Sequence, residues 1–130
     1  MKTLMACCFY CAAMLSNVAA FAQKPGPRLD RDDVWLLVMN TPLVLEVEAR
    51  EGCPGIEFDA ETPDRMYVLV RNTCPKAGNG TMGSYVVDLR DGRVWFDMES
   101  DMAIDSDRLR RLTKILLSRQ ELRRQCGDQK

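Results

Sequence analysis

The chain has 130 residues, 18 Lys and Arg against 19 Asp and Glu, a formal net charge of -1 and 46% hydrophobic content, the make-up of a globular protein with one modest core. It contains no histidine, so imidazole is missing as general base, proton shuttle or metal ligand, and every Ser-His or Cys-His mechanism is closed.

Residues 1–22 read as a secretory leader. Lys2 supplies the positive charge, an apolar run spans Leu4 to Leu15, and Ala20-Phe21-Ala22 offers small residues where a signal peptidase needs them. Cleavage would start the mature chain at Gln23, periplasmic or secreted, with no membrane contact once the leader is gone. An uncleaved anchor is the alternative, since the apolar stretch nearly reaches the roughly 20 residues of a membrane span; Ser16, Asn17 and the Ala-x-Ala site favour the leader. Cys7 after Leu4-Met5-Ala6 stands too early for a lipoprotein box. Export argues against nucleic acid as a partner and against a nucleotide cofactor, and no cofactor is expected.

Cys53, Cys74 and Cys126 remain after the leader. An oxidising compartment favours one disulfide and one leftover thiol. Cys53 and Cys74 bracket two predicted strands whose connecting turn, at Pro63 and Asp64, is also their midpoint. Antiparallel pairing would set the two cysteines opposite each other, so a Cys53–Cys74 bridge is expected. Cys126 is left as a tail thiol, with pairing to another chain or to one of the other two as the alternatives.

Residues 23–29 form an extended lead-in carrying Pro25, Gly26 and Pro27, and a single domain occupies 30–126 with a tail at 127–130. Asp30 is a good N-cap, with Asp32 and Asp33 in the first turn of a helix that carries Val34, Trp35, Leu37 and Val38 and ends near Asn40. Thr41-Pro42 opens a second segment running to about Arg50. Its alternation of Leu45, Val47 and Ala49 with Glu46, Glu48 and Arg50 also suits a strand; the Thr-Pro start and the stop at Gly52 favour helix.

From Gly55 the period becomes two. Ile56 and Phe58 alternate with Glu57 and Asp59, and after Thr62-Pro63-Asp64 an apolar strand covers Met66 to Val70. Asp91-Gly92 suits a two-residue type I′ turn, which pairs Leu89 with Val94, Val87 with Phe96 and Tyr85 with Met98 on one face. The same register sets Asp88 against Trp95 on the other face, and Arg90 opposite Arg93, a mildly unfavourable pair that an anionic partner would relieve. Asp105 and Ser106 cap a last helix reaching about Gln125, with a stripe of Leu109, Leu112, Ile115 and Leu116 and a basic remainder. The expected fold class is therefore α+β: an antiparallel sheet of about four strands in two hairpins, with N-terminal helices and one C-terminal helix.

Three motifs fail or weaken on inspection. Gly78, Gly80 and Gly83 spell G-x-G-x-x-G, but a strand from Ser84 follows where a dinucleotide fold needs a helix, so the glycines read as part of a loop from Thr73 to Met82. Asp97, Glu99 and Asp101 start like a calcium loop, then place Met102 and Arg108 where glycine and glutamate belong, so no metal site is assigned. Carboxylates such as Asp88, Asp97 and Glu99 leave open a small extracellular hydrolase, given a cleft with a raised carboxyl pKa. No catalytic residue is assigned.

Tyr85-Val-Val-Asp88-Leu-Arg-Asp-Gly92-Arg-Val94-Trp95 resembles the closing hairpin of PepSY-type domains, which the resemblance associates with extracytoplasmic and propeptide settings and with restraint of peptidases. Asp91 stands where threonine is common in that pattern, and a long basic helix follows. Cystatin-like packing of a helix on the sheet fits the same elements. The functional expectation is a non-catalytic module that binds a protein or peptide, with an inhibitor of an envelope enzyme as its sharpest form and a structural envelope component as a further alternative. Partner contacts are placed at Trp95 and Tyr67 on an open sheet face and at Arg90 and Arg93 on the hairpin tip; the open question is whether a helix crosses that face.

Overall fold

The Asp-rich start of the first helix works as expected. In the computed structural model, which describes residues 26–76, 80–96 and 101–127, α1 spans Arg31–Met39 and opens on a capping box. The Asp30 carboxylate accepts the Asp33 N–H at 3.0 Å and the Asp33 carboxylate accepts the Asp30 N–H at 3.1 Å, which satisfies donors that the helix start leaves orphaned. The ambiguous second segment is helical: α2 spans Pro42–Ala49, with Pro42 at the first position, where its missing N–H costs nothing.

α2 ends differently from expectation. The residue in left-handed conformation is Glu51, φ 62°, not Gly52. Gly52 N–H donates to Val47 O at 2.8 Å and Glu51 N–H to Glu48 O at 3.1 Å, the paired bonds of a Schellman stop. Gly52 is needed for space, because a Cβ there would lie 2.3 Å from Val47 Cγ1.

Four strands follow: β1 Pro54–Glu61, β2 Arg65–Asn72, β3 Thr81–Asp88 and β4 Val94–Phe96. They form one antiparallel sheet in the order β1-β2-β3-β4. β1 and β2 turn at Thr62, whose N–H donates to Arg65 O at 2.8 Å, and a bulge between Phe58 and Ala60 shifts the register by one. The Cys53–Cys74 disulfide closes the far end of this hairpin, with a Cα–Cα distance of 5.0 Å. β3 begins at Thr81, so Gly83 lies inside a strand rather than after a loop. Its missing side chain leaves room for the Phe96 ring, which a Cβ would meet at 2.4 Å.

The β3–β4 register departs from the sequence reading. Tyr85 pairs with Phe96, Val86 with Trp95 and Val87 with Val94, and Asp88 N–H donates to Arg93 O. The turn is therefore a loop over Leu89 to Gly92 rather than a two-residue turn. The Asp88 carboxylate drives the change by accepting the N–H groups of Arg90 at 2.8 Å and Asp91 at 3.2 Å, while Gly92 takes φ 74°. The two-residue offset keeps the same residues on the same face. It removes the expected opposition of Arg90 and Arg93.

α3 spans Asp107–Gly127, with the Ser106 hydroxyl accepting the Leu109 N–H at 3.2 Å. The three helices of the described residues serve one side of the sheet: Val34, Leu37 and Val38 of α1, Val44 of α2 and Leu109 and Leu116 of α3 share a core with Met66, Val68, Val70, Tyr85, Val87, Leu89 and Val94. Leu29 belongs to this core and its N–H donates to Leu89 O at 2.8 Å, so the end of the lead-in is part of the fold. Among the described residues every buried hydrophobic one lies between Leu29 and Leu116. Tyr85 brings the largest polar group inward; burial pushes its phenol above the ordinary value, against a weaker opposing contact with the Thr41 hydroxyl at 3.4 Å.

α3 is tied to the start of α1 by ions as well as by packing. Arg119 donates to the fully buried Asp33 carboxylate at 2.5 Å, Gln120 donates to Asp33 at 2.6 Å and to Asp30 at 3.0 Å, and Arg123 donates to Asp30 at 3.3 Å. Burial raises the Asp30 pKa, yet the Asp33 N–H, the Gln120 amide and the Arg123 charge together outweigh it, and the carboxyl ends below its ordinary value.

Candidate binding face

Side chains alternate along strands, so the residues between the core positions emerge on the opposite side of the sheet. There the registers align Ala60, Tyr67, Val86 and Trp95 in one row across β1, β2, β3 and β4. Glu57, Leu69 and Ser84 form the neighbouring row. None of the buried helical residues belongs to this side, so among the described residues no helix covers it. Val86 is nonetheless only 6% exposed. Its cover comes from the row itself, where the half-buried rings of Tyr67 and Trp95 flank it on the two adjoining strands.

Two guanidinium groups lie over the Trp95 ring, with the Arg65 carbon 5.5 Å and the Arg93 carbon 5.4 Å from its centroid. Both distances suit cation–π attraction, worth about 0.5–1 kcal/mol at exposed sites. Arg93 also pairs with Asp91 at 2.7 Å, and Arg90 pairs with Asp64 at 3.4 Å. Arg65 makes no ion pair among the described residues. At the far end of the face Arg71 and Glu57 pair at 3.1 Å. The result is an apolar row bordered by cations.

Of the four residues assigned to partner contact from sequence, Tyr67, Trp95 and Arg93 are brought together on this face, while Arg90 is held at the hairpin tip by Asp64. Sequence reasoning missed Arg65, which reaches Trp95 from two strands away. Its signal was available in principle, since any residue an even number of places from Tyr67 shares its face.

Asp88 does not offer a free carboxylate for chemistry, because the residue is buried and its carboxylate accepts the loop N–H groups. Asp97 and Glu99 lie outside the described residues, as do the leader and Met98. Among the described residues no cluster of three or more Cys, Asp or Glu could hold a metal. Cys126 is an exposed free thiol on α3. Among the described residues no helix is long and apolar enough to cross a membrane, and the disulfide fits an oxidising compartment. Comparison with protein-family models, with curated proteins and with solved structures finds no match.

Proposed function

We propose that the chain is an exported, non-catalytic binding module that grips a protein or peptide through the Tyr67–Val86–Trp95 row. The observation that carries this reading is a sheet face that no helix among the described residues covers, built around a tryptophan with two guanidinium groups beside it. Tryptophan and arginine dominate binding energy at protein interfaces because they bury large area while losing little freedom. Here the ring is held before any partner arrives, by Arg65 and Arg93, which lowers the ordering cost of association. The cations fit a partner segment with carboxylates beside an apolar anchor. An extracytoplasmic peptidase is the class of partner that the PepSY-like hairpin adds, with inhibition as the outcome of occupying its cleft.

The test is affinity capture on the oxidised domain from an extract of the extracytoplasmic compartment. A species retained by the native protein and lost with Trp95→Ala, while Trp35→Ala still retains it, supports the reading. Equal retention by Trp95→Ala, or no retained species, overturns it.

A further inference from the structure

The outer surface of the helical layer is chemically distinct from the sheet face. Trp35 on α1 is 45% exposed, and Ile115 and Leu122 on α3 are 64% and 61% exposed. Ile115 and Leu122 stand two turns apart on one side of α3. They border an open groove with Arg119 and Arg123, and the same two arginines border the adjoining hollow against Trp35. The three apolar groups therefore lie around one shallow surface, with no deep socket for a single anchor.

The charge on this surface is one-sided. Arg119 and Arg123 are taken up by Asp33 and Asp30, and Asp107 by Arg110. Arg108, Arg111 and Lys114 make no ion pair among the described residues, and they flank Ile115 along the same helix. Asp32 is the carboxylate on the Trp35 side. Exposed apolar groups rimmed by unneutralised cations on one helical face are the chemistry of a helix lying in the plane of an anionic membrane surface.

We infer that the outer face of α1 and α3 docks on an anionic phospholipid bilayer, with Trp35, Ile115 and Leu122 at the headgroup boundary and Arg108, Arg111 and Lys114 against lipid phosphates. This departs from the sequence expectation of no membrane contact after leader cleavage. A second copy of the chain is the poorer occupant, because a two-fold axis here would set the same unneutralised cations against each other.

The test uses the oxidised chain from Gln23 onward, which contains every core residue among those described, with vesicles of phosphatidylcholine alone or mixed with phosphatidylglycerol. Co-sedimentation is expected to be about a hundredfold stronger on the anionic vesicles, from about fivefold for each of three cations. It should fall with added salt, and the Trp35 emission, read by difference against Trp35→Phe, should shift to the blue. Ile115→Glu with Leu122→Glu should abolish binding; Lys114→Gln should weaken it about fivefold and serves as the milder variant if the double one misfolds. Equal partition onto both vesicle types, no sedimentation, or undiminished binding by either variant overturns the proposal. So does capture of an acidic protein on this face without vesicle binding. Trp95→Ala should leave vesicle binding unchanged, which separates this outcome from failure of the sheet-face reading.

Discussion

The two sides of the sheet are built from the same strands but held by different forces. On the covered side, shape decides: Val70, Val87, Val34, Leu37 and Val38 are fully buried, and the polar groups admitted there, Asp33 and Thr41, each have hydrogen-bond partners. On the open side, cohesion comes from cross-strand neighbours and from guanidinium groups over an indole ring. Side chains that fold the molecule and those of the proposed binding row thus occupy alternate positions of one strand. Substitutions on the two sides should separate stability from capture.

The largest effect is expected on the clamp that serves both sides. Replacing Cys53 and Cys74 with serine should lower unfolding stability by about 3 kcal/mol, measured in denaturant under oxidising conditions. A negligible loss would mean that strand pairing alone holds the β1–β2 hairpin. Next comes Gly92→Ala on the covered side. A Cβ at φ 74° is strained and would lie 2.5 Å from Thr113 Cγ2 of α3, so a loss of about 2–3 kcal/mol is expected by chemical denaturation. Capture should survive in the fraction that remains folded.

Asp33→Ala should cost about 2 kcal/mol by chemical denaturation, since it removes half of the capping box, leaves Arg119 without its carboxylate and leaves Gln120 with Asp30 alone; the partial exposure of Arg119 lets water offset the rest. On the open side, Trp95→Ala should change stability by only about 1 kcal/mol while weakening partner binding by about 2 kcal/mol or more, read by titration calorimetry with a captured partner. A stability loss as large as that of Gly92→Ala would place Trp95 among the folding residues and break the contrast. The smallest effect concerns Glu51, whose replacement by glycine should stabilise the protein by about 0.5–1 kcal/mol.

Acid provides a further probe of the covered side. Because the folded Asp30 carboxyl titrates below its ordinary range, its contribution to stability is fully present above that range and is lost as pH falls through the folded value. Melting temperature should therefore drop on the acid side of the usual Asp pKa, and Asp30→Asn should flatten that limb.

Much of this architecture could be read from residue patterns, and the exceptions have physical causes. The helix starts at Asp30 and Thr41-Pro42, the alternation in β1 and β2, and the cysteine pairing all rest on local chemistry, and all appear in the fold. The second hairpin was misread because apolar alternation is blind to a shift of two residues. What selects the longer loop is the Asp88 side chain bonding to the loop backbone and α3 packing over Gly92. For the same reason Trp95 falls on the expected face even though its partner in the ladder is Val86 rather than Asp88, and Tyr67 lies on that face with it. Leu29 was hidden in a Pro-Gly stretch, and its place in the core depends on Leu89, far along the chain. The meeting of Asp30 and Asp33 with Arg119, Gln120 and Arg123 spans nearly the full domain and leaves no local trace.

That last meeting also governs how the molecule responds to force. The first helix begins beside the last turns of α3, so tension pulling Leu29 away from Arg123 would load the Leu29–Leu89 backbone bond together with the Asp30–Arg123 and Asp33–Arg119 pairs before any strand is sheared. A permuted polypeptide, with these neighbouring ends joined by a short linker and new ends cut elsewhere, should keep the same sheet and the same helical layer.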